Sequence, residues 1–427
     1  MAMSGVRKNF SYLFGILTVA MYFIGLIIIN RGLGFRNAMI IVSALIAYYI
    51  ANVYNVATNK YKLKDMTTVI VINGILMTIT TFSKIFTFYE GIILFGIITI
   101  FQIAFRYIVI MGVVEKERVV FVGENDYTED LLESVKKDGQ YVFVTSLNNT
   151  DMKALGKEIL ELYSTKKFDV LVDFTDKLLR DPKITEKLLQ YKLEGLQYYN
   201  YLEFYETYEN KLPISHLSPK WFLENTGFEI YHNNFNLKAK RLLDLLFALL
   251  IGIFAAPVIV LAAIIVKLES KGPVFFIQER IGEGNKKFNI VKFRSMTTDA
   301  EKDGPQWASK NDNRVTKFGK IMRATRIDEL PQLWNVLRGE MSFVGPRPER
   351  EFFIQQLEKE IPYYNLRHTV KPGLTGWAQV MYPYGASVED AYRKLQYDLY
   401  YIKHHSIPFD VKVLLKTVTI VIFGKGR

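Results

Sequence analysis

Arg323–Pro348 reads RATRIDELPQLWNVLRGEMSFVGPRP, and the rest of the chain is understood outward from it. It holds an adjacent acid pair, Asp328-Glu329, at the mouth of a short amphipathic segment. Leu330, Leu333, Trp334 and Leu337 mark an apolar stripe at helical spacing, and Pro331 is tolerated in a first turn. Arg323 and Arg326 lie just upstream, and Arg347 stands on a stiff backbone between Pro346 and Pro348. The plain reading of Asp328 is a helix cap. Adjacent helical residues do not share a face, however, so a purely structural pair has no reason to be two acids. An ionised carboxylate in a cationic setting suits attack on phosphorus, as in enzymes that form an aspartyl phosphate. The second carboxylate suits a hard cation such as Mg²⁺, which takes oxygen ligands and offsets phosphate charge. A guanidinium at Arg347 suits a forked grip on phosphate or stacking on a base.

Upstream, Val274–Arg280 and Phe288–Phe293 read as two strands around the glycine-containing turn Gly282–Asn285. Lys292 and Arg294 fall at the end of the second, in Val291-Lys-Phe-Arg-Ser-Met296. Before them lies the apolar segment Leu242–Val266, interrupted by Gly252 and Pro257. Lys238, Lys240 and Arg241 precede it, and Lys267 and Lys271 follow. Basic flanks on both sides place both ends in the cytoplasm. Such a segment enters the bilayer and turns back, with the break at Pro257; the alternative is a straight fifth span. Downstream, Glu349–Glu360 and Val388–Lys403 read as amphipathic helices. Their tyrosines and lysines suit a headgroup region as well as an ordinary core contact. The Val411–Phe423 run is apolar but short, and reads as interfacial or packed.

At the other end of the chain, four apolar runs approach the length of a spanning helix: Phe10–Ile29, Ala38–Val56, Met66–Phe82 and Gly91–Met111. No small-residue cleavage site follows the first, so it does not read as a signal peptide. Arg7 and Lys8, then Lys60, Lys62 and Lys64, then Lys116 and Arg118 outweigh the charges of the intervening loops, Arg31 with Arg36 and Lys84. The N-terminus and everything after Met111 are therefore expected in the cytoplasm. From Glu117 the pattern alternates strand and helix, with strand-like Arg118–Gly123, Tyr141–Thr145 and Asp169–Phe174. That argues for a parallel α/β unit. Its first strand ends in a single glycine, not GxGxxG, so a degenerate Rossmann-like domain without a cofactor is expected.

Composition narrows the chemistry. Among 427 residues there is no cysteine, which excludes disulfides, thiolate metal sites and cysteine nucleophiles. The five histidines include no HExxH pair, against histidine-based metal hydrolysis. The net charge of +11 fits nucleic acid or an anionic membrane surface. The lysines cluster beside apolar segments, with no zinc-finger spacing and no basic arm, so membrane lipids are expected as partners and nucleic acid is not.

The motifs in combination are more specific than any of them singly. They are Gly272-Pro-Val-Phe-Phe with Gln278-Glu-Arg, Lys292-Phe-Arg-Ser-Met, Asp328-Glu-Leu-Pro-Gln-Leu-Trp-Asn, Phe343-Val-Gly-Pro-Arg-Pro-Glu, Lys371-Pro-Gly-Leu-Thr-Gly-Trp and the final Phe423-Gly-Lys-Gly. With them the part from about Lys238 to the end resembles the bacterial sugar transferases, polyprenyl-phosphate hexose-1-phosphate transferases of the monotopic phosphoglycosyl transferase superfamily. The N-terminal spans and α/β unit resemble its long exopolysaccharide-initiating branch, and Tyr382-Pro-Tyr-Gly-Ala-Ser resembles one subgroup.

The resemblance implies a UDP-sugar donor, an undecaprenyl-phosphate acceptor and Mg²⁺. It implies Asp328 as nucleophile, with UMP expelled, and Glu329 assisting through the metal or a proton. It places Lys292, Arg294, Arg323, Arg326 and the Pro346-Arg347-Pro348 turn at the substrate, and a re-entrant helix in one leaflet. Small members break that helix at Ser-Pro, where this chain has Ala256-Pro257.

The expected architecture is a membrane protein with four transmembrane helices over 1–113, a degenerate Rossmann-like α/β domain over 114–235, and a mixed α/β catalytic domain over 236–427. The last carries the re-entrant helix 242–266. It is expected in the bacterial cytoplasmic membrane as a multi-pass protein, its catalytic domain on the cytoplasmic face. Exopolysaccharide or capsule assembly is the expected pathway, and homo-oligomerisation stays open. The rival expectations are a non-catalytic membrane scaffold or nucleotide sensor, and a glycosyltransferase that releases UDP.

Overall fold

The computed structural model describes residues 2–32, 34–50, 63–112, 116–138, 141–175, 177–228, 234–297, 314–382, 385 and 387–422. Several expectations lie outside these residues: part of the second apolar run (51–56), Lys60 and Lys62, Pro383, Tyr384 and Ala386 of the subgroup stretch, and the terminal Phe423-Gly-Lys-Gly. The chain forms two compact units, Met1–Glu209 and Asn210–Arg427. Residues 210–228, which the sequence pattern groups with the α/β domain, thus belong with the second unit.

In the first unit the apolar runs become helices α1 (Ala2–Ile28), α2 (Phe35–Ile50), α3 (Leu63–Phe82) and α4 (Phe88–Gly112). Helices α1 and α3 both pack on α4, and α2 packs on α3. Their contact faces hide a polar chain. The Tyr22 and Tyr48 hydroxyls lie 3.0 Å apart, Tyr48 donates to Asn73, and Asn73 donates to Thr99 at 2.7 Å and Gln102 at 3.1 Å. Between otherwise apolar helices such bonds fix which faces meet, because an unpaired amide there is costly. Among the described residues of these helices, only Phe88–Ile108 of α4 is long and apolar enough to cross a membrane; Tyr12–Ile28, Phe35–Tyr49 and Val69–Phe82 are shorter apolar stretches.

The α/β part follows with β1 (Glu117–Val122), α5 (Thr128–Asp138), β2 (Tyr141–Leu147), α6 (Met152–Ser164), β3 (Val170–Asp173), α7 (Pro182–Glu194), β4 (Gln197–Asn200) and α8 (Tyr201–Glu209). The sheet is parallel in the order β2-β1-β3-β4. Val119 and Phe121 face one core with Leu131, Val135 and Tyr205, while Val120 and Val122 face another with Leu155, Ile159 and Leu188. Burial on both faces is why β1 reads as a continuous apolar run. In such sheets ligands approach where the strand order reverses, here between the ends of β1 and β3. Gly123 has φ +78° at that point, and a Cβ on it would stand 2.4 Å from the Thr175 methyl. Helix α5 then opens with Glu129 and Asp130, a first turn that repels phosphate.

The second unit is built around α10 (Asn234–Glu269), preceded by α9 (Pro219–Glu224). Helix α10 runs unbroken through Pro257, so the expected break is not a gap between two helices. Leu237–Glu269 is long and apolar enough to cross a membrane, and most of it is exposed. Both of its ends are tied to this one unit. Near its start, Lys240 donates to the Val344 carbonyl at 3.1 Å and pairs with Asp410 at 2.5 Å. Arg241 donates to the carbonyls of Val336 and Leu337, and Asp244 accepts from Ser342 and from the Phe343 amide. Near its end, Ala262 and Val266 pack with Phe293 and Met322, and Glu269 accepts from the Phe318 amide at 2.8 Å.

The predicted hairpin forms from β5 (Phe275–Ile281) and β6 (Lys287–Phe293), paired Phe275↔Phe293 to Ile281↔Lys287. Gly284 turns it with φ +63°. Next come α11 (Lys317–Thr325), a 3-10 segment Ile327–Gln332, α12 (Leu333–Arg338), β7 (Ser342–Val344), α13 (Glu351–Glu360), β8 (Gly373–Thr375), α14 (Trp377–Met381), α15 (Val388–Lys403) and α16 (Ile407–Ile422). Strands β7 and β8 are parallel. The amphipathic helices α13 and α15 turn Phe353, Ile354 and Leu357, and Leu395, Leu399 and Ile402, into the unit. Those side chains are covered by protein, while Phe352 of α13 is 48% exposed. Helix α16 packs on β7 and β8 with Val413 fully buried.

Candidate active site

Three elements bring the predicted residues together. Strand β6 delivers Lys292, the 3-10 segment delivers Asp328 and Glu329, and the turn after β7 delivers Arg347. The acid pair stands ahead of a short helix, as expected, but in a 3-10 segment and not in the helix's own first turn. Arg326 adopts a left-handed conformation (φ +60°), the chain winds through one 3-10 stretch, and only Leu333–Arg338 is α-helical. A 3-10 turn holds three residues, so the apolar stripe changes phase. Leu333 and Val336 are buried while Trp334 is 57% exposed.

The Pro-Arg-Pro turn is positioned by close backbone packing. A Cβ on Gly345 would stand 2.3 Å from the Lys371 carbonyl, and one on Gly376 would stand 2.2 Å from the Gly345 carbonyl. The glycines of the two motifs let the loops touch. The Gly345 amide donates to Thr375, and the Gly373 amide donates to Pro346. Pro346 and Pro348 are buried and frame Arg347. Arg280 donates to the Pro348 carbonyl at 3.3 Å and pairs with Glu349 at 3.4 Å.

Glu329 sits at the centre of the charge. Arg347 donates to its Oε1 at 2.8 Å, with Arg326 at 3.7 Å and Lys292 at 3.8 Å. Burial alone would raise its pKa, yet Arg347, Lys292 and Arg326 together hold it down to about 2. Asp328 is pushed the opposite way. Burial, then the Glu329 charge, raises its pKa against Lys292, Arg347 and Arg323. Its Oδ1 is shielded from solvent and has no hydrogen-bond partner among the described residues. Lys292 is lowered to about 8 by burial and by the Arg347 charge, with Glu329 opposing. Two neighbouring carboxylates thus have different environments, one locked as an anion and one basic and unengaged, which is how such pairs divide roles.

Arg323 lies near enough to act on Asp328 electrostatically. Arg294 does not join the group. It is buried, and its guanidinium donates to the carbonyls of Ser270 at 2.7 Å and Lys271 at 3.2 Å, closing the end of α10. Strand β6 ends at Phe293, so the next side chain turns away from the site.

Three supporting residues were not legible as site residues. Arg280 is one, and Arg367 with Asp398 form a buried pair at 3.0 Å behind Arg347. For Arg367 and Asp398 the signal was a charge within a largely buried segment, which a single sequence shows only weakly; Arg280 stands on a mostly exposed strand and carried no such signal.

For a divalent cation the donor set is small. No group of three His, Cys, Asp or Glu residues is gathered among the described residues. The free Asp328 oxygen beside the Glu329 carboxylate fits an ion that keeps most of its ligands as water and phosphate, as Mg²⁺ does. The surrounding arginines and lysine oppose a cation until phosphate charge is present.

A family profile described as bacterial sugar transferase matches residues 235–424, the segment that carries every element of this site. Among curated relatives, a UDP-N-acetylgalactosamine-undecaprenyl-phosphate N-acetylgalactosaminephosphotransferase of Aeromonas hydrophila is 42% identical over 234 residues, 55% of this chain and 54% of the relative. A UDP-glucose:undecaprenyl-phosphate glucose-1-phosphate transferase of Caulobacter vibrioides is 45% identical over 183 residues, 42% of this chain and 68% of the relative. The exopolysaccharide production protein PSS of Rhizobium leguminosarum is 39% identical over 198 residues, 45% of this chain and 99% of the relative. The chain belongs to the bacterial sugar transferase family. The match to the Aeromonas relative spans about half of that protein's length. Within the family segment, the acid pair, Lys292 and Arg347 form one cluster, and Arg294 stands outside it.

Proposed function

We propose that the chain transfers a hexose-1-phosphate from a UDP-sugar to undecaprenyl phosphate, releasing UMP, and so begins assembly of an exopolysaccharide or capsule unit. The names of the Aeromonas and Caulobacter relatives support the donor and acceptor classes, and that of the Rhizobium relative supports exopolysaccharide assembly. The single observation that carries the chemistry is the unengaged, buried Asp328 oxygen beside a Glu329 locked by cations.

In the proposed sequence an Asp328 oxygen attacks the phosphorus that bears the sugar. The P–O bond to the bridging oxygen breaks, and UMP leaves with that oxygen. An oxygen of the lipid phosphate then attacks the same phosphorus. The acyl-phosphate bond breaks, and Asp328 returns as a carboxylate with a lipid-diphosphate-sugar formed. Arg347, Lys292 and Arg323 offset the charge on the equatorial oxygens, where preorganised cations contribute most. Glu329 holds Arg347 and Lys292 in place. Mg²⁺, bound with the donor by Asp328 or Glu329, would neutralise part of the diphosphate charge.

Helix α10 with both ends tied to the catalytic unit supports a re-entrant anchor, its exposed apolar middle in one leaflet and Pro257 as a kink. With the four N-terminal helices as spans, the protein is multi-pass in the bacterial cytoplasmic membrane and its site faces the cytoplasm. The nucleotide released from a panel of UDP-sugars tests the function. UMP is expected; UDP would indicate a glycosyltransferase, and no turnover with any donor would favour a scaffold.

A further inference from the structure

Strand β7 carries the chain into the turn that holds Arg347, and among the described residues β8 is its one neighbouring strand. The start of α10 supplies further partners for β7. Asp244 Oδ1 accepts from the Ser342 hydroxyl at 3.0 Å and from the Phe343 amide at 3.1 Å. Lys240, one turn earlier on the same face of α10, donates to the Val344 carbonyl at 3.1 Å. Phe247, nearly one turn later, meets the Phe343 ring edge-on at 6.1 Å. Lys240 is itself held by Asp410, and the Tyr401 hydroxyl joins both Asp410, at 2.6 Å, and the Val344 carbonyl, at 3.1 Å. Ser342 is fully buried and Asp244 nearly so, so water does not compete for these bonds.

The acid pair is tied to the same stretch of α10. Arg241 donates to the carbonyls of Val336 and Leu337 at 2.5 and 2.8 Å, in the last turn of α12. That helix ends at Gly339, which is left-handed (φ +82°), and a Cβ there would stand 3.3 Å from the Arg241 guanidinium. Helix α12 follows the 3-10 segment directly, so Arg241 fixes the far end of the piece of chain that carries Asp328 and Glu329. A buried carboxylate is costly unless it is bonded, and an apolar residue would serve packing alone. Here three charged side chains at the root of an apolar helix all bond to segments that carry the site. We infer that Asp244 and Lys240 are positioning residues for the transfer: through β7 they set where Arg347 stands, while Arg241 holds the acid pair opposite it. The helix whose apolar body is exposed beyond them is therefore also part of the framework of the site. A shift of about 1 Å in such a framework can cost roughly a hundredfold in rate.

This inference rests on the transferase reading, and its test separates the two. Asp244→Leu removes both bonds to β7, whereas Asp244→Asn keeps an acceptor oxygen for them. Donor KM should rise about tenfold in Asp244→Leu and stay within about twofold in Asp244→Asn. Ser342→Ala, a milder change, loses one bond and should raise donor KM about threefold. In an Arg347→Ala background, neither Asp244→Leu nor Ser342→Ala should raise donor KM further, because both act through Arg347. If Asp244→Leu does not fold, the Ser342→Ala cycle decides alone. A residue that merely supports the fold would lower the melting temperature and kcat at constant donor KM, and that result would overturn the inference. So would a rise in donor KM that is equal with and without Arg347. Either result, with UMP still released by the unaltered protein, leaves the transferase reading intact. Absence of UMP release from the unaltered protein would count against that reading, and the positioning role would fall with it.

Discussion

Arg367 donates from its guanidinium to the main-chain carbonyl of Arg347 at 2.9 Å, and the side chain of Arg347 reaches Glu329 at 2.8 Å. One buried arginine thus holds the backbone from which another reaches the acid pair. Asp398 pairs with Arg367 at 3.0 Å and Tyr364 accepts from it at 2.6 Å, so its direction is fixed from behind. Removing one partner of a buried pair leaves the other charge uncompensated, which costs more than the pair contributes.

Arg367 should therefore act as a positioning residue. Arg367→Lys keeps charge but loses the fork, and should raise donor KM by about tenfold while largely preserving the folded fraction. Steady-state kinetics beside a thermal melt separate the two. A loss confined to melting temperature, with unchanged donor KM, would reduce Arg367 to a core residue.

Arg347 itself should tolerate no charge-conserving exchange. Arg347→Lys loses the planar fork that could grip a phosphate and the short contact to Glu329, so donor kcat/KM should fall roughly a hundredfold. Unchanged donor kinetics in Arg347→Lys and Arg347→Ala would make it an ordinary surface charge.

The alkaline limb of activity should report Lys292. Its pKa is lowered to about 8, so it is charged below that pH and loses its proton as pH rises through it. Donor kcat/KM, which reports the free enzyme, should fall above pH 8. Lys292→Arg should move that limb upward by removing the titration. A limb unmoved in Lys292→Arg would assign it to another group.

Metal binding should be linked to donor binding. The arginines and lysine around Glu329 oppose a free cation, and the diphosphate reverses the local charge. Calorimetric titration with Mg²⁺ should give weak heat without UDP-sugar and clear binding with it. Equal binding in both cases would mean that the ion sits elsewhere.

The chain has no cysteine, so topology can be read with single introduced ones. Probes beside Lys238 and beside Lys271 should both resist an impermeant thiol reagent in intact cells and react after lysis. Labelling of the Lys271 probe alone in intact cells would mean that α10 crosses the membrane.

Much of the fold was legible because its signals are local. The β5–β6 hairpin and the apolar run of β1 were read from strand patterning, and the acid pair from its cationic neighbours. What was not legible depends on contacts far apart in sequence. Arg294 reads like Lys292, two residues away, yet the end of the strand at Phe293 sends it to the carbonyls of α10. Trp334 fits an apolar stripe only if the segment is α-helical throughout, and the 3-10 winding after Arg326 changes the phase. Arg367 reaches Arg347 across 20 residues and Asp398 across 31, a pairing that no periodicity reveals.

The nucleophile is tested most directly by trapping it. The unaltered protein is incubated with a UDP-sugar labelled in the phosphate that bears the sugar, without lipid acceptor. Label should remain on the protein with matching release of UMP, and undecaprenyl phosphate should then discharge it. Asp328→Asn should retain no label and lose at least roughly a thousandfold in turnover. Label that never forms on the unaltered protein, or that persists in Asp328→Asn, would contradict covalent transfer through Asp328.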